Sequence, residues 1–354
     1  VESPAKAKTI KKYLGKGYDV TASMGHVRDL PASQLGIDVG NNYTPKYINS
    51  KGKEKLIRKL KSLAKGNDEI LLATDPDREG EAISWHLANL LGLDTDKPIR
   101  VTFGEITKKA VTDGVAHPRK IDMDLFDAQQ ARRVLDRLVG YKSSPLLWAK
   151  VKKGLSAGRW QSVAMRLIVD REDEIDAFIP EEYWDIATEM QSGSRKFKTK
   201  LVDAEGKKAD VKGAEQAAEA VARIKAATFT VSNVKLAERR KNPSPPFTTP
   251  NLQQDAARKL RFTTAKTMQI AQQLYEGVDL EGEGTVGIIT YIRTDSVRIS
   301  DSAIAELREY IPERYGEAYL PEKPNVYKGR KHAQDAHEAI RPSYVNQHTV
   351  EGTA

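Results

Sequence analysis

The sequence predicts a multidomain chain, an α/β region followed by separate α and β regions. Three observations predict it. The 354 residues are enough for two or more domains with their own cores. Short apolar runs alternate with helical patterns up to about residue 120, the mark of a mainly parallel α/β sheet. Beyond that the periodicity changes twice, becoming helical to 178 and then strand-like to about 242.

In chain order, Ser3 and Pro4 read as the cap and first residue of a helix, with Lys6 and Lys8 in its first turns. A basic segment is inserted at about 30–60. Ile70-Leu71-Leu72-Ala73 reads as a strand, 81–91 as an apolar-periodic helix, 99–103 as a strand and the residues from about Thr107 as a helix. Residues 121–178 form a helical region with Val134, Leu135, Leu138 and Val139, then Val163, Leu167, Ile168 and Ile175, on apolar faces. Pro180 closes it. Residues 179–243 are β-rich, alternating through Trp184, Ile186, Thr188 and Met190, with an Ala-rich helix near 214–226 and a strand near 228–238. Lys241-Asn242-Pro243-Ser244-Pro245-Pro246 is a linker. From 244 to 354 come helices near 250–260 and 264–276, a strand around Tyr291, a helix near 301–311 and a loop-rich tail. The Gly-rich, acidic residues 276–285 read as a flexible loop.

Lys and Arg number 57 against 49 Asp and Glu, a net charge of +8. The cations cluster at Lys46–Lys61 and at Arg132–Arg159, which suits a polyanion, nucleic acid being the commonest. Two solvated helix faces would give the same blocks. The absence of cysteine excludes disulfides and thiolate zinc sites within these residues. No apolar run has membrane length.

Thr74-Asp75-Pro76-Asp77-Arg78-Glu79-Gly80-Glu81 follows the strand that ends at Ala73. Three carboxylates at alternate positions of a turn repel one another unless compensated, and a hard cation such as Mg²⁺ is the natural partner. Helix capping accounts for Glu79 or Glu81 but not for all three. A calcium loop fails at its twelfth position, His86. Ile288-Ile289-Thr290-Tyr291-Ile292-Arg293 reads as a strand with Tyr291 and Arg293 on one face. A cation beside the phenol favours the phenolate and can hold a phosphate for attack. An amphipathic surface has the same pattern. No Walker motif occurs, His332 and His337 do not make a zinc-protease helix, and Gly282–Gly287 precedes a strand instead of opening a helix.

Together these segments resemble type IA DNA topoisomerases, most nearly the bacterial topoisomerase I group. The match runs through Val1-Glu2-Ser3-Pro4-Ala5-Lys6-Ala7-Lys8-Thr9-Ile10, Gly25-His26-Val27-Arg28-Asp29-Leu30-Pro31 and residues 74–81. It continues through Ala128-Gln129-Gln130-Ala131-Arg132-Arg133, Ser144-Pro145-Leu146-Leu147-Trp148, Gly154-Leu155-Ser156-Ala157-Gly158-Arg159, residues 289–296 and His337-Glu338-Ala339-Ile340-Arg341-Pro342-Ser343. The resemblance implies a TOPRIM domain at 1–120, a helical DNA-binding domain at 121–178, a β-rich arch at 179–243 and a mainly helical tyrosine domain at 244–354. It implies a Mg²⁺ site of Glu2, Asp75, Asp77 and Glu79. Tyr291 would attack a phosphodiester of single-stranded DNA, leaving a 5′-phosphotyrosyl link and a free 3′-hydroxyl. Lys6 and Arg293 would contact the scissile phosphate, and Glu2 with a raised pKa would protonate the leaving 3′-oxygen. His26, Arg132, Arg133, Asp136, Arg159, Gln161, His337 and Arg341 would bind DNA.

The expected activity is ATP-independent relaxation of negatively supercoiled DNA by a monomeric cytoplasmic protein of the bacterial nucleoid. Against the family pattern the apolar strand before Glu2 and the segments after Ala354 are missing. The expectation is therefore a fragment better suited to cleavage than to full relaxation. A TOPRIM nuclease or primase and a catalytically silent single-stranded DNA-binding module remain as alternatives, with Tyr291→Phe separating the three.

Overall fold

The computed structural model describes residues 1–204, 207–239, 241–327 and 338–346. Two compact units divide the chain. One is Val1–Ala157 with the described residues from Pro243 on, and the other is Gly158–Asn242.

In the first unit, α1 (Pro4–Leu14) begins where the Ser3 side chain accepts from the Lys6 N–H at 3.2 Å. Two short antiparallel pairs follow, β1 (Arg28–Asp29) with β4 (Ile48–Asn49) and β2 (Ile37–Asp38) with β3 (Thr44–Pro45). The basic insert then forms α2 (Glu54–Lys65), which buries Ile57 and Leu60 and leaves most of its lysines in solvent. α3 (Arg78–Leu91), α4 (Lys108–Ala116) and α5 (Met123–Lys150) complete the first stretch. Each is capped by a side chain, from Asp77, Thr107 and Asp122 respectively, that accepts from the third residue on. α3 packs on α5, with Trp85 stacked on Phe126 at 4.2 Å.

The expected parallel sheet is reduced to paired segments. Leu72 donates to Ile99 O and accepts from the Val101 N–H, giving a parallel bridge between Leu72 and Arg100. Arg100 pairs antiparallel with Arg119 on its other side. These hydrogen bonds place residues 74–79 just after a bridged segment where the apolar run predicts a strand.

In the second unit, α6 (Arg159–Asp176) precedes the hairpin of β5 (Ala187–Ser192) and β6 (Arg195–Lys200), the short pair β7 (Asp203–Ala204) and β8 (Lys207–Lys208), and α7 (Ala214–Ala226). Residues 228–238 form no strand, contrary to the sequence reading. They are exposed and find no ladder, and alternation alone does not make a strand without a partner.

Back in the first unit, α8 (Thr249–Leu260) and α9 (Thr264–Glu276) follow the linker, and α10 (Asp301–Tyr315) extends past the predicted end. Between α9 and Tyr291 the expected flexible loop is a hairpin, β9 (Val278–Leu280) with β10 (Gly284–Val286). It lies along α1, where Lys8 pairs with Asp279 at 3.2 Å, Lys12 donates to Glu283 O and Thr285 O, and Thr9 donates to Glu276 O at 2.8 Å. Residues 288–293 are not an amphipathic strand. Thr290 bridges Glu105 and Ile289 bridges Pro342, while Ile288, Thr290, Tyr291 and Ile292 are all buried. Partners on both sides take the place of a solvent face.

One core cluster explains how distant segments are held. It joins Ile10, Val101, Phe103, Ile106 and Val111 to Ala271, Tyr275, Tyr291, Ile292 and Ile340. Each fully buried large side chain of this kind contributes about 1.5–3 kcal/mol. α9 supplies Tyr275 to it, and Thr263 caps α9 through the Lys266 N–H at 3.2 Å. Thr263→Ala is expected to cost about 1 kcal/mol in urea unfolding, since one helix-end donor loses its partner.

Candidate active site

The acidic loop is positioned by what lies beneath it. Arg100 is fully buried, an expensive place for a guanidinium, and every donor it uses is spent on the loop or its support. It donates to Thr74 O at 2.7 Å, Asp75 O at 2.6 Å, Val101 O at 2.6 Å and Glu81 Oε1 at 3.0 Å. Glu81, also buried, accepts from Arg119 and from the Asp122 N–H at 3.2 Å. Thr74 donates to Gly80 O at 2.6 Å, closing the turn. Only glycine fits at 80, because a Cβ there would lie 2.0 Å from Asp75 O.

On this support the carboxylates face different donors. Lys6, with no solvent exposure, places Nζ 2.9 Å from Glu2 Oε1 and 2.9 Å from Asp75 Oδ1. Its ammonium also lies 5.3 Å from the Phe103 ring centre and 5.8 Å from that of Tyr275. Asp77 divides its oxygens. Oδ1 caps α3 through the Gly80 N–H at 2.8 Å, and Oδ2 accepts the Tyr291 hydroxyl at 2.6 Å, with Arg293 Nη1 at 3.5 Å. Glu79 Oε2 accepts from Gln129 Nε2 at 3.2 Å and lies 3.5 Å from His26 Nε2. The capping role thus falls on Asp77, where the sequence pointed to Glu79 or Glu81.

Burial raises the Glu2 pKa; Lys6 opposes this and Asp75 adds to it. For Asp75 burial acts upward too, but Lys6 prevails and the carboxyl lies below its ordinary range. The Lys6 amine is held above its usual value although burial opposes it, because Asp75 and Glu2 favour the ammonium. Glu79 is lowered, first by its hydrogen bond with His26. Tyr291 corrects the expectation from sequence. Arg293 does favour the phenolate, but burial and the Asp77 and Asp75 carboxylates outweigh it and push the phenol upward. Its proton is held, with an acceptor already in contact.

Glu2, His26, Asp75, Asp77, Glu79 and Arg293 line one cavity of about 650 Å³. A second cavity, about 310 Å³, shares His26 and Glu79 and is lined also by Arg132, Arg133 and Asp136. Arg133 forms a bidentate pair with Asp29, at 2.7 Å for its shortest contact. The structure therefore brings most of the expected site together. Arg341 lines neither cavity; it is 12% exposed and paired with Glu338 at 2.8 Å and Glu105 at 3.3 Å. Arg159 and Gln161 open α6 of the second unit. His337 lies outside the described residues.

Sequence reasoning gave no role to Gln129, Arg100 or Tyr275. Gln129 was within reach, being three, four and seven residues before Arg132, Arg133 and Asp136 on one helix face. Arg100 interrupts an apolar strand run, the mark of a buried polar anchor. Nothing in the sequence singles out Tyr275, whose ring meets that of Tyr291 edge-on at 5.3 Å and whose buried phenol, beside Asp75, is pushed well above its usual pKa by burial first.

Glu2, Asp75, Asp77 and Glu79 are oxygen donors of the type a hard divalent cation takes, and Glu2 Oε2 is buried without a partner. As placed, no three His, Asp or Glu side chains among the described residues are grouped to hold a metal ion. The donor set fits such an ion chemically, while internal donors occupy much of it.

His86, beside the second cavity, is buried against Tyr47 and Trp85, and burial lowers its pKa to about 4. Between about pH 6.5 and 4 the unfolded chain binds a proton that the folded chain refuses. Stability is then complete above about pH 6.5 and falls by up to about 3 kcal/mol on acidification to pH 4. His86→Asn should flatten this part of the unfolding profile, read by urea denaturation at each pH.

Among the described residues no helix is long and apolar enough to cross a membrane. Residues 1–106 match the family model of the Toprim domain, and residues 120–352 match that of DNA topoisomerase. Among solved structures the chain is similar to full-length topoisomerase I from Thermotoga maritima. That likeness has 44% identity and a TM-score of 0.82, covering 97% of this chain and 54% of the other. The chain thus spans about half the length of that protein.

Proposed function

Since the chain belongs to the DNA topoisomerase family and carries a Toprim domain, we propose that it breaks one DNA strand through Tyr291 and rejoins it, relaxing negatively supercoiled DNA without ATP. The observation that carries this reading is the Tyr291 hydroxyl on Asp77 Oδ2 at 2.6 Å, beside a cavity lined by Glu2, Asp75, Glu79 and Arg293.

Tyr291 Oη attacks phosphorus and its proton passes to Asp77. The P–O3′ bond breaks, and the 3′-oxygen takes a proton from Glu2, whose raised pKa suits a donor. The 5′-phosphate stays on Tyr291. Arg293, 60% exposed at the cavity, binds the phosphate oxygens as charge spreads over them, and Lys6 turns to the same group. Glu2, Asp75, Asp77 and Glu79 would hold Mg²⁺, which would supply further positive charge to the site. The phosphotyrosine keeps the energy of the broken bond, so reversal of these steps reseals the strand without a nucleotide.

Arg132, Arg133, Asp136 and His26 receive the single strand in the adjoining cavity, and Arg159, Gln161 and His337 are also assigned to DNA binding. Arg341, paired with Glu105 and Glu338, is assigned to DNA binding as well. The domain division is TOPRIM to 120, helical to 178, arch to 243 and tyrosine domain beyond, acting as a monomer in the bacterial cytoplasm. The test is incubation with a labelled single-stranded oligonucleotide and Mg²⁺, followed by denaturing electrophoresis. A covalent protein–DNA adduct is expected. Cutting without an adduct would replace the reading with a nuclease, and binding alone with a silent DNA-binding module.

A further inference from the structure

We propose that Lys6 is an internal counter-cation of the acidic site, and that Lys6 and a divalent cation exclude each other from the Glu2–Asp75 pair. The inference deepens the proposed function and rests on its assignment of these carboxylates as metal ligands.

The geometry carries it. Lys6 Nζ is equidistant, at 2.9 Å, from one oxygen of Glu2 and one of Asp75, so it sits where a cation shared by the two would compete for the same oxygens. An ammonium with no solvent exposure needs such partners, and among the described residues it pairs with no third carboxylate. The flanking Phe103 and Tyr275 rings add attraction but no hydrogen-bond acceptor. Glu2 and Asp75 also line the 650 Å³ cavity, so an ion can approach them from the side opposite the protein interior. The buried Glu2 Oε2 has no partner and is a ligand oxygen in waiting.

Lys6 can leave without disturbing the fold. Its charge stands on a flexible four-carbon stem, whereas α1 is anchored independently by the Ser3 cap, by Ile10 in the core and by the hairpin contacts of Thr9 and Lys12. Once displaced, the ammonium is available to a phosphate. Cation loading and phosphate binding therefore support each other, and by linkage each strengthens the other equally.

The test uses the full chain without DNA. Lys6 acetylation by acetic anhydride is followed by mass spectrometry as Mn²⁺ is added, and Mn²⁺ affinity is measured from the resonance signal of the free ion. We expect Lys6 to be protected at first and to become at least about fivefold more reactive, with the same midpoint as Mn²⁺ binding. Lys6→Gln should bind Mn²⁺ about tenfold more tightly, and Arg293→Gln, which removes a nearby charge that does not bridge the pair, by less than about threefold. Protection of Lys6 at saturating Mn²⁺ would overturn the proposal, as would equal tightening in the two variants. No Mn²⁺ binding at all would overturn it together with the metal assignment. A missing oligonucleotide adduct, by contrast, would sink the strand-breaking reading and leave these outcomes untouched.

Discussion

Tyr291→Phe is expected to abolish the covalent adduct, a loss of at least about four orders of magnitude, while oligonucleotide affinity changes less than about twofold. Two features make the separation clean. The phenol is 3% exposed, so its hydroxyl contributes little to initial binding, and the side chains that line the adjoining cavity lie on other segments. The variant also keeps the ring that meets Tyr275, so the core around it is retained. The hydrogen bond to Asp77 is lost, at a cost of about 1 kcal/mol. The assay is electrophoresis after denaturation, with fluorescence anisotropy reporting binding. An adduct that persists in the variant would move the nucleophile to another side chain.

Arg100→Met should destabilise the protein by about 3–5 kcal/mol in urea unfolding. The loss comes mainly from Glu81, which is buried and would keep Arg119 but lose its second guanidinium. It comes also from Thr74 O and Asp75 O, which lose their donor. The double variant Arg100→Met with Glu81→Met should recover part of the loss, because removing both charges leaves less unpaired than removing one. Additive losses in the double variant would show that the two residues act independently. Since Arg100 holds the backbone on which Asp75 stands, Arg100→Met should also weaken Mn²⁺ binding even where the chain remains folded.

What the sequence made legible follows the range of each interaction. Ser3-Pro4 located the start of α1, the Ala-rich stretch gave α7 with its limits, and residues 249–276 gave two helices in nearly their observed places, because caps and periodicity act within a few residues. The acidic loop was legible for the same reason. Strands were not. Residues 228–238 alternate as a strand does but find no partner, and residues 276–285 carry loop-forming glycines that serve a hairpin against α1. The sharing of Asp77 between a helix cap and Tyr291 was beyond reach, since the second contact joins residues 214 positions apart.

That separation bears on the order in which the protein becomes able to act. A ribosome delivers α1 and the acidic loop long before Tyr291, and the contacts of Lys8 with Asp279 and Lys12 with Thr285 close loops of more than 270 residues. Loops of that length close late, after local helices have formed. A nascent chain therefore displays its acidic loop first, with Lys6 already within reach of Glu2 and Asp75, and gains Tyr291 only when the hairpin docks on α1. Synthesis itself acts as a timer, withholding the Tyr291–Asp77 contact until the fold around it has assembled.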